Sequence, residues 1–236
     1  MATLTPKDRI IYALDVPDLA EARVHVARLA GHVGVFKVGL ELFVKEGPEV
    51  VRVVTGEGGR VFLDLKLHDI PATMRAALAS VAALGPRFVT VHGEGLHGLD
   101  DAGAAAPDVC VLAVTALTSL DGASLKAAGY RDALCDPREL VLARARLAKA
   151  KGCGGVVCSG HEAAAVRREL GDGFVIVTPG IRPAWAGADD QARITTPAQA
   201  VADGADYLVI GRPIRMAADP AWAADRIAEE IGALTG

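Results

Sequence analysis

Eight times along this chain a short run rich in β-branched residues gives way to an Ala-rich stretch with helical patterning. That alternation limits the folds open to it. The pattern predicts strands over Arg9–Val16, Val33–Gly39, a third run carrying Asp64 and Lys66, Arg87–His92, Val109–Ala116, Gly154–Cys158, Phe174–Thr178 and Tyr207–Ile210. Between them it predicts helices from Pro17 to about Ala30, over Glu41–Thr55, Pro71–Leu84, an Ala-rich stretch ending at Ala106, Pro137–Lys151, His161–Leu170, Pro197–Ala202 and Pro220–Ile231. A longer link runs from Leu117 to Asp136. Several strands are near-continuous apolar runs, as parallel strands covered by helices require. The expectation is an α/β protein, a single (β/α)8 barrel of the TIM type spanning residues 1–236 as one domain. A doubly wound open sheet is the alternative, weakened because no G-x-G-x-x-G follows the first strand. No Ser- or Pro-rich linker divides the chain.

Composition narrows the function classes. The chain is 51% hydrophobic, enough for a large core, and its formal net charge is −4 with no basic cluster. Nucleic acid and membrane surfaces are therefore not expected partners. Met1 to Arg9 lacks the apolar core of a signal peptide and no apolar run approaches a membrane span, so a cytoplasmic location is expected. Cys110, Cys135, Cys153 and Cys158 form no C-x-x-C pair and read as buried free thiols of a reducing compartment.

The third strand carries the densest chemistry, Val61-Phe62-Leu63-Asp64-Leu65-Lys66-Leu67-His68-Asp69-Ile70-Pro71. Alternation puts Leu63, Leu65 and Leu67 on one face and Asp64, Lys66 and His68 on the other. Asp64 and Lys66 then stand about 7 Å apart at Cα, within reach of a folded-back lysine. An ion pair capping a strand end is the plain alternative. Unpaired buried charge is costly, however, and lysine is scarce, with seven against eighteen arginines. Lysine can give and take a proton where arginine cannot, which suggests an amine chosen for its chemistry.

Other polar residues collect at the predicted C-terminal strand ends: Asp15, Lys37, His92, Thr115, Ser159, Thr178 and Arg212. Barrel enzymes build their sites on that rim. Two loops look like anion cradles, Thr178-Pro179-Gly180-Ile181-Arg182 after the seventh strand and Ile210-Gly211-Arg212-Pro213 after the eighth. Glycine lets backbone N–H groups approach an anion and arginine offers a two-pronged donor. His92 and His97 near Glu94, and His161, are weaker candidates for a metal, because their spacing shares no helical face. No G-x-S-x-G or Ser-His-Asp ordering supports nucleophilic hydrolysis.

The segment Asp64-Leu65-Lys66-Leu67-His68-Asp69-Ile70-Pro71-Ala72-Thr73 resembles the signature of the orotidine 5'-phosphate decarboxylase family, in its bacterial form. The similarity continues in that family's order through Ala13-Leu14-Asp15, Phe36-Lys37-Val38-Gly39, Val114–Ser119, Gly155–Ser159, Thr178–Arg182 and Gly211-Arg212-Pro213-Ile214. Related sugar-phosphate enzymes that use magnesium share only the D-x-K-x-x-D core, and Pro213 departs from the serine many members carry.

The resemblance implies decarboxylation of orotidine 5'-phosphate to uridine 5'-phosphate and CO2, the last step of UMP synthesis, with no metal and no cofactor. It implies that Lys66 gives a proton to C6 and that Asp64 lies against the departing carboxylate. Lys37 and Asp15 would hold the ribose hydroxyls and the charge network, and Thr118 would contact the pyrimidine. Gln191 would bridge base and phosphate. Arg182, Gly211 and Arg212 would hold the phosphate, with Pro179 in the same binding loop. Asp69, a catalytic residue in that family, would reach with Ile70 and Thr73 into a neighbouring subunit's site, so a homodimer with shared active sites is implied. The polar stretch Pro183–Arg193 would serve as a lid. The rivals are a magnesium-dependent sugar-phosphate decarboxylase or aldolase, and a nucleotide-binding barrel without catalysis.

Overall fold

The structure, a computed structural model, describes residues 4–186 and 195–233. Eight parallel strands follow one another around a closed barrel in sequence order, and the eighth pairs with the first, Ile11 beside Val209. In chain order the elements are β1 (Ile10–Ala13), α1 (Leu19–Leu29), β2 (Val35–Gly39), α2 (Leu40–Glu46), α3 (Glu49–Gly56), β3 (Val61–Leu67), α4 (Pro71–Ala82) and β4 (Phe88–His92). Then come α5 (Ala102–Ala105), β5 (Cys110–Val114), α6 (Gly122–Ala127), α7 (Pro137–Ala150), β6 (Gly155–Val157), α8 (Gly160–Leu170) and β7 (Val175–Thr178). The chain closes with α9 (Pro197–Ala202), β8 (Tyr207–Ile210), α10 (Arg212–Arg215) and α11 (Pro220–Gly232). The expected barrel is therefore present, and the open-sheet alternative is excluded by the β1–β8 pairing.

Local chemistry explains the helix starts. Asp18, Asp136, Thr196 and Asp219 accept hydrogen bonds from backbone N–H groups in the first turns of α1, α7, α9 and α11. Pro137, Pro197 and Pro220 follow three of these caps, where a missing N–H costs nothing. The helix predicted over Glu41–Thr55 is two helices, α2 and α3. Gly47 turns with a φ of 62° and Pro48 cannot continue the first helix. The helix predicted to reach Ala106 is a 3-10 turn, Gly93–Gly98, and the short α5. Gly93, Gly95 and Gly98 weaken helix there. The link from Leu117 to Asp136 contains α6, and α10 follows β8 where no helix was expected.

Alternation along the strands sorts side chains into two cores. Ile11, Val35, Phe62, Phe88, Leu112, Val177 and Tyr207 fill the barrel interior. Phe88 makes edge-to-face contacts with Phe62 at 5.9 Å and Tyr207 at 5.0 Å between centroids. A larger cluster, including Tyr12, Phe36, Leu63 and Val89, lies between strands and helices. Leu65 and Leu67 pack against it, as the alternation predicts. Moving two residues up from interior Val35, Phe62 and Phe88 leads to Lys37, Asp64 and Thr90 on the same face. The apolar floor of the barrel thus sets which residues stand above it.

The cysteines are unpaired. Cys153 and Cys158 are buried as expected, whereas Cys110, at the first position of β5, and Cys135 are only half-buried. Burial pushes the Cys110 thiol up to about 11 and that of Cys153 to about 12. Among the described residues, no helix is long and apolar enough to cross a membrane.

Candidate active site

Four charged side chains, Asp15 two residues past β1, Lys37 on β2 and Asp64 and Lys66 on β3, alternate in sign across the barrel mouth. Lys37 Nζ donates to Asp15 Oδ1 at 3.0 Å and stands 3.9 Å from Asp64 Oδ2, and Lys66 Nζ donates to Asp64 Oδ1 at 2.8 Å. Side-chain exposure is 11% for Lys37, 16% for Asp64, 32% for Lys66 and 50% for Asp15, so the chain of charges runs from a sheltered centre to an open edge. The lysine does fold back onto Asp64, as the alternating pattern predicts. Glycine at position 39 is part of this arrangement, since a Cβ there would lie 3.2 Å from Lys37 Nζ. Arg215 on α10 donates to the Asp15 carbonyl and braces the end of β1.

Strand β3 departs from regular geometry at this point. Its pairing with β4 shifts register between Leu63 and Leu67, and Lys66 adopts a φ of 50°. A left-handed backbone is uncommon for a residue with a side chain and marks a place held by its surroundings. The Lys66 N–H leaves the ladder and donates to Thr90 Oγ1 at 2.9 Å, and the same hydroxyl donates to Asp64 Oδ1 at 3.0 Å. A threonine inside a strand reads from sequence as an ordinary β-former, so nothing in the sequence marks Thr90 as part of the site.

Two adjoining cavities share Lys37, Pro179 and Val209. One, of about 200 Å³, is lined by Asp64, Lys66, Thr118 and apolar groups that include Phe62, Val114, Leu117 and Val157. The other, of about 190 Å³, is lined by Asp15, Gly180, Arg182, Gly211, Arg212 and Pro213. Gly180 has a φ of 75°, open to glycine at little cost, and Arg182 is buried at 5% exposure. A largely apolar cavity beside an ammonium–carboxylate pair, adjoining a glycine- and arginine-lined pocket, suits a ring tethered to an anion.

The structure thus brings together Asp15, Lys37, Asp64, Lys66, Thr118, Pro179, Arg182, Gly211 and Arg212. It does not bring Asp69, Ile70 or Thr73 to either cavity. All three are exposed at the start of α4, Ile70 to 66%, and Asp69 Oδ1 accepts from the Ile70 N–H. Gln191 lies outside the described residues, as does most of the Pro183–Arg193 stretch. Ser159 caps α8 and Thr115 donates to the Val157 carbonyl, so these two rim hydroxyls serve the backbone.

Of the histidines considered for metal, His92 meets His68 and Glu94, with potential ligand atoms within 4.8 Å of one another. His97 and His161 are not in that group. The two rings stack at 5.2 Å and the Glu94 carboxylate is already engaged by Arg144 and Tyr130. The Tyr130 hydroxyl and the Arg144 charge hold the Glu94 carboxyl below its ordinary range, and burial lowers His92. The Glu94 carboxylate thus already belongs to an ion-pair and hydrogen-bond network with Arg144 and Tyr130.

Comparison with known proteins agrees with this geometry. Residues 8–227 match the model of the family described as Orotidine 5'-phosphate decarboxylase / HUMPS family. An orotidine 5'-phosphate decarboxylase of Anaeromyxobacter sp. (strain K) is 52% identical over 228 residues, covering 95% of this chain and 99% of its own. One from Rhodopseudomonas palustris (strain BisA53) is 49% identical, with 97% of each chain covered. The crystal structure of orotidine 5'-phosphate decarboxylase from Lactobacillus acidophilus superposes with a TM-score of 0.81 at 36% identity, covering 94% of this chain and 98% of that one. The barrel, its rim of alternating charges and its near full-length similarity all lead to one assignment: the chain belongs to the orotidine 5'-phosphate decarboxylase / HUMPS family.

Proposed function

We propose that this chain converts orotidine 5'-phosphate to uridine 5'-phosphate and CO2, completing the synthesis of UMP. The observation that carries the reading is the Asp15–Lys37–Asp64–Lys66 chain of charges beside the Gly180–Arg182 and Gly211–Arg212 pocket. Its support is the 52% identity along nearly the whole of both chains to a protein named for that reaction.

In this reading the phosphate occupies the pocket of Arg182, Gly211 and Arg212, and Asp15 and Lys37 hold the ribose hydroxyls. The ring enters the apolar cavity with Thr118 at its edge. Gln191 would join base to phosphate. The substrate carboxylate faces Asp64, which Lys66, Lys37 and Thr90 keep from turning away. The bond between C6 and the carboxylate breaks, its electron pair stays on C6, and CO2 departs. The Lys66 ammonium stabilises that charge and then gives its proton to C6, leaving a neutral amine that water reprotonates. Binding of the distant phosphate fixes the ring in place, so grip and chemistry are coupled. These steps need only the protein's own groups, so the reading includes no metal or cofactor. The exposed Asp69, Ile70 and Thr73 would complete the site of a second copy in a homodimer, and the enzyme would act among cytoplasmic enzymes of small molecules.

The test is turnover of orotidine 5'-phosphate in excess chelator, with UMP and CO2 both quantified. Equimolar products at an undiminished rate support the reading. No turnover, or turnover that requires magnesium or prefers a sugar phosphate, refutes it.

A further inference from the structure

Resting on the decarboxylase reading above, we propose that Thr90 is a positioning residue that sets the geometry of the Asp64–Lys66 pair from the neighbouring strand. Thr90 lies on the interior face of β4 with no exposed surface, and it does not line either cavity. It therefore acts through other residues and not on the substrate.

A threonine hydroxyl has one proton and two lone pairs. Here the proton goes to Asp64 Oδ1, 3.0 Å away, and a lone pair accepts the Lys66 N–H at 2.9 Å. One hydroxyl thus holds the carboxylate of one partner and the backbone of the other. The second contact bears on strain. At a φ of 50° the Lys66 N–H no longer points into the regular ladder, where register shifts between Leu63 and Leu67. A buried N–H without a partner is strongly disfavoured, so the hydroxyl is what makes this left-handed turn tolerable. The turn in turn lets the Lys66 ammonium meet Asp64 Oδ1 at 2.8 Å across a two-residue separation.

Thr115 shows the ordinary alternative. It is also fully buried, one residue past β5, yet its hydroxyl donates to a backbone carbonyl, that of Val157. Thr90 differs in that both of its contacts are with the groups assigned to chemistry. A valine would fill the same volume and supply neither contact. A serine would supply both and lose only a methyl group.

The experiment compares the wild type with Thr90→Val, Thr90→Ser and Thr90→Ala. For each, kcat and KM for orotidine 5'-phosphate, UMP affinity and amide exchange at Lys66 are measured. Thr90→Val should lose roughly 10- to 100-fold in kcat, the scale of a small misplacement of reacting groups, with KM and UMP affinity within about twofold. Thr90→Ser should recover most of kcat. Exchange at the Lys66 amide should quicken at least about tenfold in Thr90→Val and stay near wild type in Thr90→Ser. If Thr90→Val does not fold, the Thr90→Ser and Thr90→Ala pair decides, because only one of them keeps the hydroxyl. Equal kcat values with and without the hydroxyl, or an unaltered Lys66 amide, overturn the proposal. A wild type with no turnover fails the decarboxylase reading instead, and the exchange measurement still decides whether Thr90 holds the Lys66 backbone.

Discussion

Asp64→Asn removes one charge and keeps the shape of the site. The amide oxygen can still accept from Thr90 and Lys66, so the substitution isolates the role of the carboxylate charge. That charge lies 2.8 Å from one ammonium and 3.9 Å from another. At an effective dielectric of about 20 these separations correspond to attractions of ~6 and ~4 kcal/mol before desolvation is counted. Desolvation offsets most of that, and breaking a buried pair from one side costs about 3–5 kcal/mol. Lys66 remains 32% exposed and is screened by water, so a loss of about 3 kcal/mol, the lower end, is expected. Urea unfolding followed by circular dichroism measures it, and kcat should fall by about 100-fold or more in the same protein. Adding Lys66→Met should relieve part of the instability, because the ammonium that paired with Asp64 is then gone whereas Lys37 keeps Asp15, and the cycle should be non-additive. A variant within about 0.5 kcal/mol of the wild type, with additive effects, would refute the view that Asp64 holds the two lysines together.

Three further outcomes test other parts of the account. Arg212→Ala should raise KM strongly and lower kcat to a lesser degree, with a far smaller effect on orotidine lacking its phosphate; equal losses on both substrates would remove Arg212 from the phosphate pocket. If Asp69 completes the site of a second copy, as proposed, Lys66→Ala and Asp69→Ala proteins should each be inactive, yet mixing with subunit exchange should restore roughly a quarter of the sites by two-fold symmetry. If mass spectrometry shows exchange and activity stays at the parental level, Asp69 acts within its own chain. Stability should also fall with acid: burial lowers the His25 pKa in the folded state, so the unfolded chain binds a proton more readily below about 6.5 and that stability is lost as pH falls through the lower folded value. His25→Gln, which can still hydrogen-bond with the Tyr12 hydroxyl, should flatten the decline in Tm between about pH 7 and 5, and an unchanged slope would show that His25 is not its source.

Much of this architecture was legible because each signal was local. Asp-Pro and Thr-Pro pairs marked helix starts, apolar runs marked strands, and a two-residue alternation put Asp64 and Lys66 on one face. The contact of Lys37 with Asp15 and Asp64 needed one more step, the adjacency of β1, β2 and β3, which a closed barrel in sequence order supplies. What escaped was set by contacts distant in sequence or by backbone angles. The left-handed turn at Lys66 depends on a hydroxyl 24 residues away, and nothing in the Leu-Lys-Leu pattern announces it. The stacking of His68 on His92 and the engagement of Glu94 by Arg144 likewise join the segment after β3, the end of β4 with the turn that follows it, and α7. The division between α2 and α3 could have been read from Gly47-Pro48, a breaker pair that helical periodicity on both sides obscured.

The central claim is that Lys66 delivers the proton that replaces CO2 at C6, and Lys66→Ala tests it most directly. Wild type and variant are assayed side by side for UMP formation, with circular dichroism and UMP binding to establish that the variant is folded and its phosphate pocket intact. The account predicts a folded variant that binds UMP and forms no product above the buffer rate, because the site then lacks both its proton donor and the charge beside C6. A folded variant with kcat near that of the wild type would contradict it.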